Sequence, residues 1–111
     1  MAILSILNQV VGPLPVSATF NAPSDGPACL VLAGSVWCAA AGQTIGITLE
    51  LDGKPIGSAT IFSNGASTHR AVVPSYIPVT LPFGPHKVTV IAENSHTVSD
   101  VNDRFDVVLM Y

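Results

Sequence analysis

The chain has 111 residues, a mass of 11.5 kDa and a formal net charge of −3. At roughly 150 residues per domain this is one domain, large enough to bury a core without a metal or disulfide staple. Apolar residues make up 49% and charged residues only 10%, against about 25% charged in an average domain, which excludes a disordered tail, while four Lys+Arg against seven Asp+Glu exclude the basic field that attracts nucleic acid.

Residues 1–15 carry Ile3, Leu4, Ile6, Leu7, Val10 and Val11 and no charge. No Lys or Arg precedes this stretch, and Asn8 and Gln9 interrupt it, so it lacks the basic n-region and long apolar core of a secretory signal. No apolar run reaches the ~18 residues of a membrane span. The segment is expected as an N-terminal arm, helical or extended, ahead of a domain over residues 16–111. Its six apolar side chains must be covered by that domain or by a neighbouring subunit, since termini fray unless tied down.

Short strands follow. Val16–Asn21 alternates and stops at the turn cluster Ala22-Pro23-Ser24-Asp25-Gly26-Pro27. Ala28–Cys38 is apolar on both faces and reads as a central strand bent at Gly34. Cys29 and Cys38 on such a strand lie about 30 Å apart, too far to bond. Two buried free thiols are therefore expected, as suits a chain made in a reducing cytoplasm.

Ile45–Leu51 alternates most clearly, with Ile45, Ile47, Leu49 and Leu51 on one face. Asp52-Gly53 then turns the chain. A three-residue loop would pair Glu50 with Lys54 and place Ser58 and Thr60 outside with Thr48. A two-residue loop would pair Leu51 with Lys54 and place Ser58 and Thr60 inside. The first agrees with burial and is preferred. After a turn at Asn64-Gly65, strands are expected over His69–Val73 and Ile77–Leu81, then over His86–Ala92 and Arg104–Tyr111. The last should bury Phe105, Val107 and Leu109. Ile47, Leu49, Val88, Val90, Phe105 and Val107 are expected to share one core.

Nine Pro and nine Gly punctuate these runs, and strands every 8–12 residues read as an antiparallel β-sandwich. The run Gly84-Pro85-His86-Lys87-Val88-Thr89-Val90, followed by Asp103-Arg104-Phe105-Asp106-Val107-Val108, resembles the last hairpin of immunoglobulin-like and related sandwich modules of bacterial surface proteins and phage virions. Leu51-Asp52-Gly53-Lys54-Pro55-Ile56-Gly57 is similar to another hairpin of such modules. The resemblance implies an all-β sandwich, and a jelly roll fits the same strands.

The last connection gathers Glu93, Asn94, Asp100, Asn102, Asp103 and Asp106. Asp100, Asn102 and Asp103 offer the hard oxygen ligands that suit Ca²⁺, but the EF-hand pattern is missing. The competing reading is a polar loop whose Asp and Asn side chains cap their own turns. His69, His86 and His96 have no partner at metal-ligand spacing and read as surface imidazoles. No nucleophile elbow or phosphate loop is present, so neither an enzyme nor a cofactor is expected. Asn64, Tyr76 and Phe83, in or beside turns, are the candidate sugar contacts. Trp37, in the most apolar strand, reads as core.

Charge is uneven: Asp25 stands alone before Glu50, as if much of the first half were covered. Val108 and Met110 lie on the outward face of the final strand. With Ile3, Leu4, Ile6, Leu7, Val10 and Val11 they form the expected contact with a second copy or a larger particle. The leading expectation is a non-enzymatic assembly module that oligomerises or decorates a phage capsid, tail or fibre. It would act on a virion or an extracellular surface after cytoplasmic synthesis. The alternative is a lectin-like carbohydrate-binding module.

Overall fold

The computed structural model describes residues 1–111. Its nine strands are β1 (Ile3–Val11), β2 (Val16–Ala22), β3 (Gly26–Val36), β4 (Gln43–Leu51), β5 (Lys54–Ser63), β6 (Arg70–Ala71), β7 (Ser75–Leu81), β8 (Gly84–Ala92) and β9 (Arg104–Met110). They form two antiparallel sheets. In the first, β1, β9 and β3 run side by side, and β6 and β7 share the far edge of β3; in the second the order is β2-β8-β4-β5. The chain is thus an all-β sandwich, with sequential strands crossing between sheets in the jelly-roll manner. No helix is long and apolar enough to cross a membrane.

Alternation sets which side chains meet between the sheets. Leu30, Leu32, Phe105, Val107 and Leu109 from the first sheet face Ile45, Ile47, Leu49, Val88 and Val90 from the second, and all are fully buried. All six expected core residues are among them. Close approach is needed at Gly34, paired with Phe105. A Cβ there would lie 2.6 Å from the Phe105 ring, so the ring covers the bare backbone.

Residues 1–15, expected as a separate arm, instead begin with β1, which pairs with β9 from Ile3↔Met110 to Val11↔Arg104. The expected partner-contact set is divided accordingly. Leu7 is buried, and Leu4, Ile6 and Val10 pack against the core; the protein's own fold covers these four. Ile3 and Val11 remain exposed, and Val108 and Met110 are half-buried on the outer face. Backbone pairing with β9 orders the segment as burial covers it, so no second subunit is required for that task.

The β4–β5 hairpin corrects a second expectation. Asp52 and Gly53 both have positive φ, 51° and 84°, the two-residue turn that suits strand twist, and Leu51 pairs with Lys54. A bulge then places Glu50 opposite Pro55 and Leu49 opposite Gly57. The extra residue restores the facing, so Ala59 pairs with Ile47 inside and Ser58 with Thr48 outside. The faces were legible although the turn was not.

The scarcity of charge before Glu50 has a structural explanation. Ser17, Thr19 and Thr44 occupy exposed positions of β2 and β4, where neutral hydroxyls serve in place of charges. The outer face of the first sheet carries Cys29, Val31, Tyr76, Pro78, Val108 and Met110 in register. Both cysteines are free thiols as expected, but only Cys38 is buried; Cys29, expected buried too, is half-buried because it lies on this outer face.

Candidate functional site

The β1–β2, β3–β4, β5–β6 and β8–β9 connections gather at one end of a molecule 44 Å long and 24 by 22 Å across. The shorter β2–β3, β4–β5 and β7–β8 turns and both termini lie at the other. At the loop end, Trp37 bridges to Val98 through paired backbone bonds of 2.9 and 2.8 Å. This brings the β8–β9 loop across the top of β3. Gly12 fits beneath it because a Cβ would lie 2.6 Å from the Asp100 carbonyl oxygen; its N–H donates to the Asp103 carbonyl, 3.0 Å away.

Asp103 is the buried centre of this end, with no exposure. Its Oδ1 accepts from the Ser35 hydroxyl at 2.8 Å and lies 2.7 Å from His69 Nδ1, and its Oδ2 accepts from the Asp100 N–H at 2.9 Å. His69 Nε2 is 3.7 Å from Asp100 Oδ2, and these two side chains are 38% and 40% exposed. The Asp103 carboxylate, through its hydrogen bond and then its charge, raises the His69 pKa above the usual 6.5, and the Asp100 charge adds to this. Trp37, expected in the core, is instead half-buried at the top of β3, and its ring lies 6.0 Å from His69, centroid to centroid. The result is an indole beside an imidazole and one accessible carboxylate, braced from below by a second.

The acidic loop is dispersed around this centre. Glu93 accepts from Thr48 and Ser58 on the outer face of the second sheet. Asn94 Oδ1 accepts from the His96 N–H and the Thr97 hydroxyl. Asp106 holds the backbone and side-chain N–H of Gln9. Asp100 Oδ1 accepts from the Asn102 N–H at 2.8 Å, so Asn102 contributes its backbone to a local turn. Two of the three Ca²⁺ candidates, Asp100 and Asp103, do converge, but with His69 as the third member. Self-capping of the loop is the reading these bonds favour over an oxygen-only calcium site.

His69 was legible only as a surface imidazole because its partner lies 34 positions away. One available signal was the charge balance: four Lys+Arg cannot pair seven Asp+Glu, leaving histidine as the remaining cation. The candidate sugar contacts do not assemble. Asn64 lies in the β5–β6 connection at the loop end, Tyr76 projects from the outer face of the first sheet, and Phe83 sits in the β7–β8 turn at the opposite end. Alternation and turn position identify exposed aromatics but not which of them share a surface.

No protein-family model and no curated protein match the chain. Solved structures do resemble it. Latent PorU from Porphyromonas gingivalis aligns at TM-score 0.62 and 11% identity, over 96% of this chain and 12% of its own. A β-glucosidase from Paenibacillus barengoltzii aligns at 0.58 and 14%, over 99% of this chain and 10% of its own. A family 35 carbohydrate-binding module from Clostridium thermocellum aligns at 0.54 and 17%, over 99% of this chain and 90% of its own. The chain thus spans a small part of the first two and nearly all of the third. At these identities the likeness establishes the β-sandwich fold.

Proposed function

We propose that the chain is a glycan-binding β-sandwich module that holds its ligand at the loop end, against Trp37, His69 and Asp100. The observation that carries this reading is the half-buried Trp37 indole beside His69, whose ring is held by Asp103 and stands 3.7 Å from the accessible Asp100 carboxylate. A sugar offers a C–H face that rests on an aromatic ring and hydroxyls that donate to a carboxylate. The likeness to a free-standing carbohydrate-binding module over nearly its whole length supports the reading. The carboxylates favour binding over hydrolysis. Glycoside hydrolysis uses two carboxyl groups flanking the scissile bond, whereas Asp103 is fully buried and engaged in three hydrogen bonds, leaving Asp100 as the accessible carboxylate of the pair. A glycan array of the intact protein beside Asp100→Ala tests the proposal. It expects selective glycan binding that the substitution abolishes; an empty array, or equal binding by both proteins, would overturn it.

A second reading rests on a different observation. The outer face of the first sheet presents Cys29, Val31, Tyr76, Pro78, Val108 and Met110 beside exposed Ile3. An apolar sheet face of this kind suits a subunit or particle contact, such as a phage capsid, tail or fibre. Sedimentation at increasing concentration tests the self-association form of this reading, which expects a concentration-dependent oligomer; a monomer at every concentration would contradict it.

A further inference from the structure

We propose that His86 is a proton-operated latch at the end opposite the loop cluster: as an imidazolium it ties the β4–β5 turn to the β7–β8 turn and fixes the segment that carries Phe83, and as a neutral ring it releases one of them. His86 Nδ1 lies 2.7 Å from Asp52 Oδ2, and Nε2 lies 2.8 Å from the Pro82 carbonyl oxygen. Both partners can only accept. A neutral imidazole has a single N–H, and its other nitrogen is itself an acceptor. Only the doubly protonated ring satisfies both contacts. The neutral ring must leave one oxygen facing a lone pair.

The surroundings make that mismatch costly. The His86 side chain is 9% exposed, against 49% for Asp52, and its ring packs on Phe20 of β2 at 5.6 Å between centroids, so little water reaches the imidazole nitrogen that loses its partner. Asp52 is fixed independently: its Oδ1 accepts from the Lys87 N–H and its own N–H donates to the Lys87 carbonyl, both at 2.8 Å. The Phe83 N–H donates to Asp25 Oδ1 at 2.6 Å, and the Phe83 side chain is 70% exposed. The latch therefore acts on a turn that presents an aromatic side chain to solvent.

The charges around the ring are few. The β4–β5 turn contributes Asp52, β2 contributes the uncharged Phe20 and the β7–β8 turn the Pro82 carbonyl. Asp25 reaches the same turn through Phe83, and Lys87, next in β8, points to the other face of its sheet. The Asp52 hydrogen bond, followed by that of the Pro82 carbonyl, raises the His86 pKa above 6.5. The reciprocal bond from His86 holds Asp52 below 3.8. The latch is thus closed between these limits and opens as pH rises through the raised His86 value.

The test uses ¹⁵N-labelled intact protein. Side-chain ¹⁵N shifts report the protonation of each His86 nitrogen, and amide exchange at Phe83, corrected for its intrinsic pH dependence, reports release of the turn. At pH 6 both nitrogens are expected to carry protons. Between pH 6 and 9 the corrected exchange at Phe83 is expected to rise roughly tenfold, the factor set by losing one charge-assisted hydrogen bond. Asp52→Asn should lower the His86 pKa and flatten the exchange profile, and His86→Phe should flatten it as well. His69→Gln, at the other end, should leave it unchanged. A neutral His86 at pH 6, or an Asp52→Asn profile that rises as the wild type does, would overturn the latch.

Discussion

Replacing Asp103 by Ala should destabilise the protein more than any other single change at the loop end. The carboxylate accepts from the Ser35 hydroxyl, His69 Nδ1 and the Asp100 N–H at 2.7 to 2.9 Å. Hydrogen bonds to a charged group contribute about 1.5–3 kcal/mol each, but the 38% exposure of His69 lets water reclaim part of its share. Even with the His69 share dropped entirely, the other two bonds at the low end give a loss of at least about 3 kcal/mol. A domain of this size melts roughly 4 °C lower per kcal/mol, so the midpoint should fall by about 12 °C. Asp103→Asn keeps the shape and one acceptor oxygen and should lose about half as much. Thermal unfolding followed by circular dichroism at pH 6 gives both numbers. An Ala variant melting within about 3 °C of the wild type, or an Asn variant no more stable than Ala, would refute the brace.

Other consequences are equally direct. Ile47→Asp and Val90→Asp should each prevent folding, because an unpaired buried charge costs several kcal/mol; soluble, cooperatively melting protein from either would refute the assigned facing. Removing residues 1–14 should strip β1 from β9 and expose Leu109 and Val107, so the shortened chain is expected to melt lower or aggregate, and equal melting temperatures would contradict the strand pairing. Stability should be greatest in mildly acidic solution and fall as pH rises through the raised His69 and His86 values, because each folded imidazole holds its proton more tightly than the unfolded chain does; melting points that climb from pH 6 to 9 would reverse the sign. In the folded protein a thiol reagent should modify Cys29 well before Cys38, as mass spectrometry after timed alkylation would show.

The strands that sequence alone locates best are those whose alternation is unbroken. β8 and β9 keep period two throughout, and β4 keeps it apart from the buried Gly46, so Ile47, Val90 and Val107 fall inside as that period requires. β1 was illegible as a strand for a physical reason. Its pairing with β9 shifts register between Ser5 and Leu7 and again between Leu7 and Val10, and Gln9 has a φ of 54°. Those irregularities scramble the alternation and leave a pattern that resembles an apolar arm. The loop-end cluster was half legible. Asp100 and Asp103 announce themselves as neighbours, but His69, Trp37 and Ser35 reach them only through strand order, which local pattern does not encode. His86 and Asp52 illustrate the same limit, since a separation of 34 residues is bridged by a sheet crossing. The acidic loop misleads in the opposite sense: residues adjacent in sequence are dealt to three different surfaces.

The most direct test of the glycan-binding proposal is chemical-shift mapping on ¹⁵N-labelled protein titrated with the best ligand from the array. The account predicts saturable changes at the Trp37 indole and the backbones of His69, Asp100 and Asn102, with the outer face of the first sheet unmoved. Changes centred on Tyr76, Val31 and Val108, or no saturable change with any glycan, would contradict it.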